Sequence, residues 1–126
     1  MLFRPERRRY IAWLLLCGVL AVHVTDEAAT GFLNLYNPAV AAMGLAIAGL
    51  LILSHWVRRG TWWTVYASYA FSLVMLANGI AHLSFSIYRR EWMSGAYTSP
   101  LLMAASLNLG IVTRLSCGSP SEELKR

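Results

Sequence analysis

Long apolar runs separated by short polar clusters set the pattern of this chain. A bilayer core of about 30 Å takes roughly 20 apolar helical residues to cross, and counting from charge to charge gives four such stretches. Residues 10–29 follow the basic cluster Arg4, Arg7, Arg8 and Arg9 and end near Gly31, a residue that can adopt the left-handed conformation found past helix ends. Residues 38–57 open on Asn37-Pro38, a capping residue followed by the residue type favoured at the first helical position, and stop before Arg58-Arg59-Gly60. Residues 62–88 carry no charge, and their length implies tilt or projection beyond the hydrocarbon. Residues 100–115 open on Ser99-Pro100 and form a short span whose Arg114 is expected to snorkel. A basic segment, 1–9, precedes the spans, and a polar tail, 116–126, expected to be disordered, follows them. The pattern predicts an all-α fold, a four-transmembrane-helix bundle forming one domain.

Composition sharpens this reading. Apolar residues make up 57% of the 126 and charged residues only 13%, about half the share of a soluble domain, so a soluble enzyme, a disordered tail and a cystine-rich secreted fold are excluded. The +5 net charge does not point to nucleic acid. With the N-terminus in the cytoplasm, the inner segments hold Arg4, Arg7, Arg8, Arg9, Arg58, Arg59, Arg114, Lys125 and Arg126, and only Arg89 and Arg90 lie outside. Both termini are therefore expected to be cytoplasmic in a multi-pass protein. Tyr10, Trp13, Trp56, Trp62 and Trp63 mark the inner interface on this reading, and Tyr36, Tyr88, Trp92 and Tyr97 the outer one. Small residues at helical spacing, Gly44 with Ala48 and Ala42 with Ala46, suggest that the second helix packs closely on a neighbour. A basic start followed by an apolar run also resembles a signal peptide, but His-Val-Thr-Asp-Glu after Val22 is not a small-x-small cleavage site, and the segment is read as a retained span.

Three residues do not suit lipid. His23, Asp26 and Glu27 lie within the first span, where an ionisable side chain costs about 2.5–3.5 kcal/mol at the bilayer centre and less near an interface. At about 100° per residue, His23 and Glu27 are about 40° apart and Asp26 lies about 60° to the other side of His23, so all three can face one crevice, with Thr30 continuing the stripe. Asn78, His82 and Ser86 form a comparable stripe on the third span. At about 1.5 Å per residue, His23 and Glu27 stand about 20 and 25 Å up the first helix, and Asn78 and His82 about 24 and 30 Å up the third before tilt is allowed for. The two sets are expected to meet in the outer leaflet, with Arg89 and Arg90 just above, placed to pair with acidic groups or an anionic headgroup.

The segment His23-Val24-Thr25-Asp26-Glu27, followed by a Gly-Phe segment, resembles the signature of the HXXEE family of small membrane proteins. Asn78-Gly79-Ile80-Ala81-His82, then Tyr88-Arg89-Arg90, then Gly95 and Thr98, is similar to that family's second histidine and arginine region. The likeness covers about four fifths of the chain. Asp26 stands where the family has the first Glu of the pair, which keeps a carboxylate, and Ser94-Gly95 stands where Pro-Gly is expected, which alters the outer loop. The resemblance implies a small membrane protein with an enzymatic role suggested by those polar residues.

Two imidazoles and two carboxylates in a poorly hydrated crevice suit zinc, iron or manganese. His23, Glu27 and His82 are the candidate ligands, Asp26 a fourth ligand or an orienting group, and Asn78 a hydrogen-bond partner. No His-Glu-x-x-His spacing is present. Without metal, Glu27, His82 and Asp26 can perform acid–base chemistry on a lipid-like molecule or relay protons. The plainer alternative is an accessory or structural subunit: Asp26 and Glu27 end the first helix paired with Arg89 or Arg90, and His82 bonds a backbone carbonyl. Four helices leave little room for an alternating-access carrier without a homo-oligomer or a larger membrane complex. His55 is expected to be solvated, Met75, Met93 and Met103 to pack, Asn108 and Thr113 to bond across helices, and Cys17 to be an inert buried thiol.

Overall fold

Proline has no N–H to leave unbonded in the first turn of a helix, and in the computed structural model, which describes residues 4–30 and 38–117, Pro5 begins α1 (Pro5–Ala29). Three further helices follow: α2 (Pro38–Arg58), α3 (Trp63–Arg89) and α4 (Ser99–Cys117). All four are long and apolar enough to cross a membrane, and no strand occurs among the described residues. The first helix thus starts at Pro5 and not at Tyr10, so Arg7, Arg8 and Arg9 lie on the helix itself. The expected Gly31 stop, the Asn37 cap, Tyr36 and most of the polar tail lie outside the described residues.

The helices form a four-cornered bundle. α1 packs on α2 and on α4, α4 packs on α3, and α2 barely meets α3, so one side of the bundle is loosely closed. α1 is the best-covered element: half of its most apolar window is buried, against 11% for α2. Its Trp13, Leu16 and Leu20 pack in one core with Val57 of α2, Phe71 of α3 and Leu102 and Leu109 of α4. Trp13 is not an interface anchor, as its place near the basic cluster implies, but a core residue. It is almost completely buried, its ring centroid lies 4.9 Å from that of Phe71, and its indole N–H donates to the Leu50 carbonyl at 2.9 Å. A buried indole needs such an acceptor.

Close helix approach occurs, but not where the small residues of α2 suggest. Ala42, Gly44, Ala46 and Ala48 are exposed, and a Cβ added at Gly44 meets nothing within 4 Å. Half-buried Met43, Ile47, Leu50 and Leu53 pack against the core instead. The tight contact is α3 on α4, where a Cβ at Gly79 would lie 2.6 Å from Met103 Cγ and one at Gly110 3.0 Å from Ser72 Oγ. Ser72 Oγ donates across this contact to the Ser106 carbonyl at 2.6 Å. Asn108 is exposed and Thr113 Oγ1 donates to Leu109 O in its own helix, so neither makes the expected interhelical bond.

At the end of the bundle where α1 begins, Arg9 of the basic cluster is drawn into the protein. It is 4% exposed, its Nη2 donates to Thr64 Oγ1 at 3.2 Å, and its Nε has no partner among the described residues. The α2–α3 turn fits against the same helix start: Gly60, with φ +69°, lies so near that an added Cβ would be 2.9 Å from Glu6 Cγ.

Candidate functional site

About 21 Å along α1 from Arg9, near its other end, the two polar stripes meet. α1 supplies His23, Asp26 and Glu27, α3 supplies Asn78 and His82, and the connection over residues 90–98 folds across them. The side chains of His23 and Glu27 are 0% and 5% exposed and that of His82 is 16% exposed, so the shared depth inferred from helix rise holds.

The connection folds over the site by local means. Arg90 takes the left-handed conformation, φ 54°, and ends α3 with its N–H on Ile87 O. Glu91 N–H then bonds Ser86 O, and Met93 N–H bonds Ser86 Oγ at 3.2 Å. Gly95, with φ +80°, carries the backbone across the cluster, where an added Cβ would lie 2.9 Å from His23 Cε1 and 3.2 Å from both Glu27 Cγ and His82 Cε1. Only glycine suits such a combination of left-handed backbone and close approach. Ser99 Oγ donates back to Gly95 O at 2.7 Å, fixing this turn to the start of α4. Ser94 Oγ donates to the Glu27 carbonyl at 3.3 Å and bonds Thr30 Oγ1.

A carbonyl partner assigns the His82 tautomer. Ser94 O can only accept, so His82 Nδ1 donates to it at 3.0 Å and, in the neutral ring, His82 Nε2 bears a lone pair. That lone pair faces Glu27 Oε1 at 2.9 Å. Thr98 Oγ1 donates to Asp26 Oδ2 or Gly95 O, both at 3.2 Å, and accepts from His23 Nδ1 at 2.7 Å. Asn78 Nδ2 donates to His23 Nε2 at 3.4 Å, and the same nitrogen lies 3.7 Å from Glu27 Oε1. Two imidazole nitrogens and a carboxylate oxygen thus converge, and the rings stand edge to face with centroids 5.0 Å apart. Facing acceptors in a dry site repel unless a proton or a cation lies among them.

The candidate ligands His23, Glu27 and His82 come together, with donor atoms all within 4.8 Å of one another. Asp26 is not among the converging donors; its Oδ2 lies 3.2 Å from Thr98 Oγ1, the partner of His23 Nδ1, a place that suits the orienting role better than the ligand role. Asn78 takes the expected supporting position. Arg89 and Arg90 are exposed, and among the described residues neither pairs with Asp26 or Glu27. Of the two partners considered for these arginines, acidic groups and an anionic headgroup, the first is not what the fold provides: Glu27 turns inward to His23 and His82. Ser94, Gly95 and Thr98 complete the site, yet the first has no role in the motif likeness beyond its departure from Pro-Gly, and the others appear there without a function attached. A polar residue within an irregular connection gives no periodicity from which to read its direction.

The cluster is not sealed. A groove of about 430 Å³, lined by Ala81, His82, Phe85, Arg89 and Met93, reaches His82 from outside the bundle. A second, of about 480 Å³, runs beside Asp26 and Thr98 along Ala21, Val22, Thr25 and Ala29.

Known protein-family models, curated proteins and solved structures hold no match to the chain.

Proposed function

We propose that His23, Glu27 and His82 are the protein ligands of a divalent transition metal, zinc foremost and iron or manganese by the same donors, in a membrane enzyme acting on a lipid-like molecule. The observation that carries this reading is the convergence of both Nε2 atoms on Glu27 Oε1 while both Nδ1 atoms are held by oxygen partners. Metal-binding histidines are held in this way through the ring nitrogen that does not ligate. Ligand atoms about a tetrahedral ion with bonds of about 2.0–2.1 Å lie about 3.3 Å apart, and the separations of 2.9 and 3.7 Å bracket that value. Two histidines and a glutamate leave one position for water or substrate, the donor count of a catalytic zinc site. When bound, such a metal supplies Lewis-acid polarisation and an activated water. The chain's own residues orient His23 through Asp26 and Thr98 and hold His82 through Ser94 O. Apolar Ala81, Phe85 and Met93 guide the substrate to His82. Membership of the HXXEE family belongs to the same proposal, as does an outer-leaflet position for the site with both termini in the cytoplasm.

The 2.9 Å contact between His82 Nε2 and Glu27 Oε1 favours a second reading, metal-free acid–base catalysis in which these two groups share and exchange a proton. Metal analysis of detergent-purified protein separates the two. About one metal per chain in the wild type and its loss in His82→Ala support the metal centre, whereas no stoichiometric metal in either sample overturns it in favour of the proton-sharing pair.

A further inference from the structure

The arginine-rich end of the bundle has chemistry of its own. Arginines that serve only to orient a membrane protein need no particular arrangement, because the positive-inside effect counts charges near the helix ends. Here four of them are brought around one cleft of about 770 Å³, lined by Arg4, Arg7, Arg58 and Arg59 together with Glu6 and Tyr10. The fold creates it by pressing the first turn of α1 against the Gly60 turn, where no Cβ fits beside Glu6. That contact sets the last residues of α2 beside the first residues of α1, which are remote in sequence.

Four guanidinium groups around one cavity repel one another, and Glu6 is the only carboxylate among the described residues that line it. Arg4 stands at the N-cap of α1 and makes no side-chain cap, so the positive end of the helix dipole opens toward the same region. Arg8 and Arg114 are also exposed but do not line the cleft. The convergence is therefore selective among the arginines of this end.

We infer that the Arg4–Arg7–Arg58–Arg59 cleft binds a phosphate-bearing anion. Guanidinium groups match phosphate oxygens in paired hydrogen bonds, and Tyr10 offers a phenol for a further one. The cleft lies where the apolar surface of α1 and α2 begins, the position of a headgroup at a bilayer interface, and basic pockets between membrane helices recognise anionic lipid headgroups in this way. A soluble phosphate would meet the same groups.

Native mass spectrometry of the full chain in non-ionic detergent, offered equimolar phosphatidylglycerol and phosphatidylcholine, tests the site. One phosphatidylglycerol is expected to be retained in preference to phosphatidylcholine. Either pair of changes, Arg58→Gln with Arg59→Gln or Arg4→Gln with Arg7→Gln, should weaken retention by about tenfold or more. The pair Arg8→Gln with Arg114→Gln, which removes the same charge, should leave it unchanged. If the lipids are retained alike while inorganic phosphate raises the melting temperature of the wild type but not of the cleft variants, the ligand is a soluble phosphate and the site stands. Equal loss in the Arg8/Arg114 pair, or no response to either probe, overturns the inference. A matching wild-type melting temperature without ligand shows that the variants fold.

Discussion

The two ends of the bundle solve the same problem in opposite ways. Each gathers ionisable side chains at a turn whose glycine has positive φ and approaches another segment too closely for a Cβ. At Gly95 the neighbours are His23, Glu27 and His82, and their polar atoms face one another in a buried cluster. At Gly60 the neighbour is the aliphatic stem of Glu6, and the charges around it line an open cleft. At one end acceptors of different kinds converge about a place for a proton or a cation; at the other, groups of like charge converge around an open cleft. A glycine turn thus serves both ends, and the chemistry differs with the sign and mixture of the charges brought together.

The largest test of this contrast is a methyl group at each turn. Gly95→Ala drives a Cβ into three side chains at once in a disfavoured backbone region, so a loss of stability of about 2–4 kcal/mol is expected, together with loss of bound metal. Gly60→Ala meets only a flexible Glu6 stem and should cost about 1–2 kcal/mol, with metal content unchanged. Thermal unfolding and metal analysis of the two proteins read this out, and equal effects at both turns would erase the distinction.

Within the cluster, Thr98→Val keeps the shape but removes the hydroxyl between Asp26 and His23. Chelator competition should show metal binding weakened by about 10–100-fold, with Thr98→Ser restoring it. Unchanged affinity in Thr98→Val would mean that Asp26 does not act through this hydroxyl.

A smaller effect is expected at the opposite end. Thr64→Val removes the only side-chain acceptor that Arg9 has among the described residues and should destabilise the protein by about 1–2 kcal/mol, leaving metal stoichiometry intact. The smallest is at Arg89 and Arg90, where Gln in place of either should leave metal content as it is. A fall in metal there would show that the exposed arginines support the cluster after all.

What the sequence discloses follows from periodicity. The four spans were legible because charge is scarce in them over lengths set by the bilayer, and His23 with Glu27, or Asn78 with His82, because helical spacing fixes which residues share a face. Gly95 and Thr98 were not legible as parts of the site, since the 90–98 connection has no repeat from which to infer direction. Arg9 is hidden in the sequence for a different reason. A charge count treats it like Arg8, although one helical position decides whether the side chain faces Thr64 or solvent. The alanines and glycines of α2 show that another helix can come near, yet small size does not say which helix does, and Gly79 and Gly110 are where it happens.

The hydrogen bond between His23 and Thr98 has a consequence for biosynthesis. The partners are 75 residues apart, and at about 5–20 residues per second the ribosome takes roughly 4–15 s to make the intervening chain. For most of that interval α1 holds a histidine and a carboxylate whose partners His82, Ser94 and Thr98 have yet to be made. Nascent α1 must wait beside water, headgroups or the insertion machinery, and its polar end reaches its final place only when the last helix arrives.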